Sequence, residues 1–310
     1  MSIEFVTFGI VIDDIVLYEG QPFLGILGGG GPQTAFGMAT ALGGGDSVGM
    51  VAVVGSDCTP EVLAPLTRYG INLDGVRRID RLTPRAWQRF DVHGNRSHVW
   101  QVPPQSGNET YTLPAQSLPA SYQGARAFHW GLHPENPSTE FSQRLLSERK
   151  TISVETFRPP TEPFTPAMLR ELVTACTIFT PSWGEAVAMT GVEDELALAL
   201  QFRAAGCQVL SLRMGEHGAL IFDFRGGTIA GVRVPSVPTT LVDPTGAGNA
   251  FAGAFIARLD EGITTAGAAG VAAASYMLEQ YGIPAALPLR ADFEERMTYA
   301  LERIVPVHSA

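Results

Sequence analysis

The chain has 310 residues, 45% of them hydrophobic, which is enough for a sizeable core and too apolar for a disordered protein. Acidic residues number 31 against 21 basic ones, a net charge of −10, and no run of Lys and Arg offers a nucleic-acid surface. Lys150 is the only lysine, which excludes a Gly-Lys-Ser/Thr phosphate loop, and no apolar run reaches the roughly 18 residues of a membrane span.

Cys58, Cys176 and Cys207 are odd in number and widely spaced. They read as reduced thiols, not as disulfides or a metal site, and point to the cytosol. Met1 to Val6 reads as a strand start, not as a signal peptide.

Phe5 to Ile12 is a continuous apolar run, as expected of a buried strand in a sheet covered on both faces. Asp13 and Asp14 then sit where open α/β sheets bind ligands; a solvated turn is the other reading. Gly28 to Gly31 allows close backbone approach, and Pro32 opens a helix that carries Gln33. Asp46 to Gly55 is a second buried strand, and Pro60 to Tyr69 a helix. Pro84–Val92 and Arg96–Val102 flank His93-Gly-Asn95 and read as a half-buried hairpin.

Ala125–Gly131 is a further strand. His129 and His133 are four apart, but Pro134 breaks the segment, so a helical zinc pair is not available. Ser138–Lys150 reads as a helix, Thr151–Glu155 as a strand and Thr165–Thr174 as a helix. Thr177 to Glu185 is strand, turn and helix start. Glu185 there either serves a metal or complements the helix N-terminus. Glu193–Ala205 is a helix, and Cys207–Gly215 a strand that runs into Glu216-His-Gly218. Arg213 near its end either grips a phosphate or pairs with an acid. A hairpin follows around Gly226 and Gly227.

Leu241-Val-Asp-Pro-Thr-Gly-Ala-Gly-Asn-Ala-Phe-Ala-Gly-Ala-Phe255 is the segment with the most chemistry. Asp243, Pro244 and Thr245 are turn and cap residues. Gly246, Ala247 and Gly248 leave N–H groups uncovered at a helix start, which attracts an anion and above all a phosphate. A capped core helix is the plainer reading. Helices over Thr264–Tyr281 and Ala291–Arg303 complete the chain. No Gly-x-Gly-x-x-Gly follows the first strand, which argues against a dinucleotide oxidoreductase.

The ordered set of a Gly-rich N-terminal motif, a hairpin, a Gly-x-x-Gly strand end and the Gly-Ala-Gly loop resembles the PfkB/ribokinase family over nearly the whole chain. The Gly run near residue 30, Thr83 to Trp87, Arg213 to Gly215, Asp243 to Asn249 and Ala274 to Pro284 also look like a branch related to the fungal maintenance-of-killer proteins. The resemblance implies one ribokinase-like domain over 1–310. Its expected form is three-layer α/β/α, with a mostly parallel central sheet and a small β lid from about 14–27 and 84–104. It implies ATP and Mg²⁺ as cofactors, a sugar or nucleoside as acceptor, and a homodimer through the lid.

Residue by residue, the resemblance gives Asp14, Gly30, Gly31, Gln33 and Arg85 to the acceptor, with Trp87 as a further lid contact. Arg213, Gly215 and Gly218 fall to the nucleotide and Glu185 to the metal. Gly246, Ala247 and Gly248 would stabilise the transferring phosphoryl group. The chain departs from the family's pattern at Gln33 and Ser182, each usually Asn, and at Arg213, usually Thr. Asn249 stands where the family has its catalytic Asp, and an amide cannot usefully take a proton. Asp243 and Asp13 are then the candidate bases. The expected activity is phosphoryl transfer from ATP to a sugar or nucleoside hydroxyl; the alternative is a nucleotide- or sugar-binding protein without turnover.

Overall fold

A computed structural model describes residues 2–17, 20–92, 96–104, 118–226 and 229–307. The turn expected at His93–Asn95 and Gly227 of the later hairpin lie outside the described residues. One sheet has ten strands. From one edge inward these are β5 (Asn72–Arg78), β4 (Val48–Val54), β1 (Phe5–Phe8), β8 (Ala127–Leu132), β9 (Thr151–Thr156), β10 (Ile178–Phe179) and β11 (Val209–Arg213), all parallel. Antiparallel β12 (Ala219–Asp223), β13 (Ala230–Val234) and β14 (Val305–Val307) extend the other edge. This is the ribokinase-like α/β architecture, and its central strands are buried on both faces, as their apolar runs require.

Helices cover both faces. On one side lie α1 (Gly30–Leu42), α2 (Pro60–Tyr69), α7 (Ala247–Arg258), α8 (Ile263–Leu278) and α9 (Arg290–Leu301), which share a core with Phe5, Met50 and Ile221. On the other lie α3 (Glu140–Ser147), α4 (Pro166–Thr174), α5 (Trp183–Thr190) and α6 (Glu195–Ala205), around Phe128, Phe179 and Phe222. The helix expected over Ser138–Lys150 is therefore shorter, because Thr139 is its N-cap and Glu148 its C-cap.

A second sheet of four strands, in the order β3 (Phe23–Gly28), β2 (Val11–Val16), β6 (Arg85–Phe90), β7 (Arg96–Val102), is built from the segments expected to form the lid. The expected single strand over Phe5–Ile12 is thus two. Gly9 takes a φ of +90°, and its carbonyl accepts the Gly31 N–H at 3.1 Å. A Cβ on Gly31 would lie 2.0 Å from that carbonyl oxygen. The chain leaves the large sheet at this glycine contact and enters the second sheet. Asp13 and Asp14 consequently lie within β2 and not at the end of β1.

Helices α1 and α7 cross with backbones nearly touching. A Cβ on Gly37 would fall 2.0 Å from the Ala250 carbonyl oxygen, and one on Gly253 would fall 2.1 Å from that of Thr34. This crossing fixes where α7 begins relative to α1. We expect Gly37→Ala to destabilise the protein by about 1–3 kcal/mol through overpacking, beyond the roughly 1 kcal/mol that alanine gains in helix propensity. A lower urea midpoint checks it; an unchanged midpoint contradicts the close crossing.

Candidate active site

The first turn of α7 is built by its preceding loop. Asp243 is fully buried, and its Oδ1 accepts the Thr245 N–H at 2.9 Å. Gly246 then takes a left-handed φ of +85° as the N-cap. The first helical bond runs from the Ala250 N–H to the Gly246 carbonyl at 2.9 Å, so the Gly248 and Asn249 N–H groups precede the helical ladder. These groups and the dipole make an anion site. Burial pushes the Asp243 carboxyl above its ordinary value, although the Thr245 N–H partly offsets this.

Gln33 on α1 joins this turn. Its Oε1 accepts the Asn249 Nδ2–H at 2.6 Å. Its carboxamide lies over Gly246, where a Cβ would come within 2.4 Å of the amide carbon. The two glycine segments expected to share a site are therefore physically linked. Gly30 faces open space, with no atom nearer than 3.7 Å to a Cβ placed there. Gly31 has the structural role against Gly9 already described.

The expected acceptor residues Asp14 and Arg85 lie in the second sheet. Asp14 accepts Arg85 Nε–H at 2.8 Å and NH2 at 2.7 Å, as well as the Gly25 N–H at 2.7 Å and a short bond from Gln101. Burial pushes its carboxyl up, but Arg85, Gln101 and Gly25 more than offset that and hold it below the ordinary range. Asp14 and Arg85 thus pair with each other and tie β2 to the hairpin, and Arg85 stays partly exposed. Trp87 lies on β6 with Arg85 and is 40% exposed.

Asp13 is the carboxylate that turns toward the Gly-rich segment. A Cβ on Gly28 would lie 1.9 Å from its Oδ2. Its Oδ1 accepts Gln88 Nε2–H at 2.8 Å, and the same amide nitrogen donates to His98 Nδ1 at 3.0 Å. Gln88 Oε1 is buried without a partner. Burial pushes the Asp13 carboxyl up to about 7; Gln88 and Arg96 act against the rise, and the charge of Asp243 adds to it.

Arg213 ends β11 beside the α7 turn. Its NH1 pairs with Glu155 Oε2 at 2.8 Å, and its NH2 faces Glu185 Oε2 at 3.6 Å. Glu185 forms a capping box with Ser182, accepting the Ser182 N–H at 2.7 Å. Glu185 and Arg213 therefore each have a structural partner, and Arg213 also borders the α7 turn, where a Cβ on Gly248 would lie 2.1 Å from its NH1. Gly218, with φ +81°, packs on the Val234 carbonyl, whereas a Cβ on Gly215 would meet nothing within 4 Å.

The profile of the pfkB family of carbohydrate kinases matches residues 5–290. The chain belongs to that family. A cytidine kinase of Thermococcus kodakarensis is 28% identical over 233 residues, 75% of this chain and 81% of that protein. Among solved structures, a putative ribokinase II of E. coli in complex with ATP and Mg²⁺ is 18% identical, with a TM-score of 0.73 over 96% of this chain and all of the other. The ribokinase of Arabidopsis thaliana, complexed with ribose and ATP, is 19% identical, with a TM-score of 0.71 over 96% and 98% of the two chains. PfkB membership supports kinase activity on a sugar or nucleoside, with ATP as co-substrate.

Among the described residues no group of three His, Cys, Asp or Glu side chains could hold a metal ion. A magnesium in a phosphotransferase of this family needs less, because one or two carboxylates, waters and substrate phosphates complete its shell. Glu155 and Glu185 carry two negative charges against the single positive charge of Arg213, so this donor set fits such an ion. Glu155 was missed by the sequence reading, which saw only the end of a buried strand. A carboxylate at the C-terminal end of a parallel strand was the available signal. Among the described residues no helix is long and apolar enough to cross a membrane.

Proposed function

We propose that this pfkB-family protein transfers the γ-phosphoryl group of ATP to a hydroxyl of a sugar or nucleoside-like acceptor at the first turn of α7. The observation that carries this reading is the first turn of α7, whose Gly248 and Asn249 N–H groups precede the helical ladder and which Asn249 joins to Gln33 of the N-terminal glycine motif. The backbone N–H groups of that turn stabilise charge on the transferring phosphoryl oxygens. Asn249 orients the acceptor hydroxyl, while Gln33, Gly30 and Asp13 hold the acceptor beneath the lid. Asp14 and Arg85 act by holding the lid strands together. Arg213, Gly215 and Gly218 border the nucleotide. Glu185, with Glu155, would hold Mg²⁺, which neutralises phosphate charge when bound.

Phosphoryl transfer proceeds through a loose transition state in which positioning and electrostatics dominate. An amide at position 249 is compatible with such chemistry. Asp243 is the nearest carboxylate along the chain, but its Oδ1 is spent on the turn. Asp13 is the better placed of the two candidate bases, because its raised carboxyl can take up a proton near neutral pH. The family match gives no support to the alternative of a binding protein without turnover.

Three further points rest on the same reading. The buried, unpaired Cys58, Cys176 and Cys207 support a cytosolic setting. Exposed Phe23, Leu24, Trp87 and Val99 support a homodimer through the lid; a monomer by light scattering at assay concentration contradicts it. The narrower placement beside the fungal maintenance-of-killer proteins rests on the residue motifs alone.

ADP release with Mg-ATP across sugars and nucleosides, ribose and cytidine among them, tests the function. Acceptor-dependent release is expected. Silence across the panel, with no effect of ATP on the melting temperature, contradicts it.

A further inference from the structure

The guanidinium of Arg213 is held unevenly. NH1 is anchored on Glu155 at 2.8 Å, a charge-assisted bond. NH2 is 3.6 Å from Glu185, too far for a hydrogen bond. The Nε–H is buried with no acceptor. Nε–H and NH2 form the side-on fork of an arginine, the pair Arg85 uses on Asp14. On Arg213 that fork is unspent.

The anchored NH1 also lies against the α7 turn. A Cβ on Gly248 would come 2.1 Å from it. An anion bound at this turn therefore meets the guanidinium. Glu155 is buried within β9. His129 sits 3.9 Å behind it and bonds Ser153 at 2.9 Å through Nδ1, which holds that end in place.

Resting on the kinase reading, we infer that Arg213 is a ligand of the transferring phosphoryl group, anchored by Glu155 through NH1 and turning its Nε–H and NH2 fork from Glu185 onto γ-phosphate oxygens. In the transfer the bond from Pγ to the ADP oxygen breaks with its electron pair on ADP. The acceptor oxygen bonds to Pγ, and its proton passes to the bulk solvent through the site's carboxylates. The Arg213 fork stays on the migrating phosphoryl oxygens throughout. An arginine supplied within the chain is a known means of stabilising this charge, and it lessens the demand on a base at position 249.

The test compares the Kd of Mg-AMPPNP, which carries a γ-phosphate, with that of Mg-ADP, which does not. It needs no acceptor. Arg213→Met is expected to weaken AMPPNP by about 10–100-fold, the worth of one or two hydrogen bonds to a charged group, and to change ADP by less than about twofold. Removing Arg213 alone strands the buried Glu155 carboxylate, so Arg213→Lys, which keeps a positive charge beside Glu155 but loses the Nε–H and NH2 fork, is run beside it and should show the same selective loss. Equal weakening of both nucleotides, or of neither, overturns the role of Arg213 and leaves the kinase reading standing. Wild-type protein that binds neither nucleotide overturns both.

Discussion

Asn249→Asp is expected to raise turnover by about 100-fold. General-base catalysis is typically worth 10²–10⁴, and a loose phosphoryl transition state places this chain near the lower bound. The new carboxylate would sit on the first turn of α7, where a negative charge is favoured by the helix dipole. Its one local conflict is with Gln33, whose Oε1 now accepts the Asn249 Nδ2–H at 2.6 Å. Rotating the Gln33 amide by half a turn presents Nε2–H instead and removes it. Steady-state kcat for both proteins on the same acceptor checks the expectation. An unchanged or lower kcat in a folded variant would mean that proton removal does not limit the reaction.

Asp13→Asn should make the protein more stable above neutral pH and impair its use of acceptor. Burial raises this carboxyl from an ordinary 3.8 to about 7 in the folded protein. Between these values the folded state holds a proton that the unfolded state has released. Stability therefore falls as pH rises from 4 to 7, by about 4 kcal/mol in all. Asparagine removes that loss. Its Oδ1 can still accept the Gln88 N–H, though its amide faces the backbone near Gly28. A net gain of about 2–4 kcal/mol at pH 8 is expected, and little gain at pH 4. The same carboxylate accepts an acceptor hydroxyl only when ionised. In wild type the acceptor KM should thus rise by up to about tenfold per pH unit below 7. Burial pushes the neighbouring His98 down to about 4, so His98 stays neutral through the range, while the charge of Asp243, itself raised by burial, adds to the rise of Asp13. Urea melts at pH 4 and pH 8, with KM profiles from pH 6 to 8, decide the matter. A variant no more stable at pH 8 than at pH 4, with an unaltered KM, contradicts both halves. Stability traded for acceptor binding is the pattern of a functional residue.

Much of the fold was legible because it depends on local signals. Buried parallel strands show as apolar runs, α2 begins at Pro60 and ends at Gly70, and the hairpin strands lie where alternation placed them. The glycine segments were legible for the same reason, and Gln33 and Asn249 do meet. What was not legible depends on partners far along the chain. The break at Gly9 exists because Gly31 packs on it. The division of labour between Asp13 and Asp14 is set by a register shift in the β2–β3 pairing and by Arg85, 71 residues away. No periodicity of two could say which carboxylate turns inward once that bulge is present. Glu155 was hidden likewise, since only the arrival of Arg213 from β11 makes a strand-end acid part of the site. Glu185 was identified by its place in the chain, and the same side chain proved to be a helix cap as well.

Direct identification of the phosphorylated product tests the central claim most closely. Wild-type protein is incubated with ATP labelled at the γ-phosphate and with the acceptor that stimulates ADP release, and the acceptor is recovered and analysed by mass spectrometry. The account predicts one labelled phosphoryl group on an acceptor hydroxyl, formed in equal amount to ADP. ADP formed with label only in inorganic phosphate would contradict it.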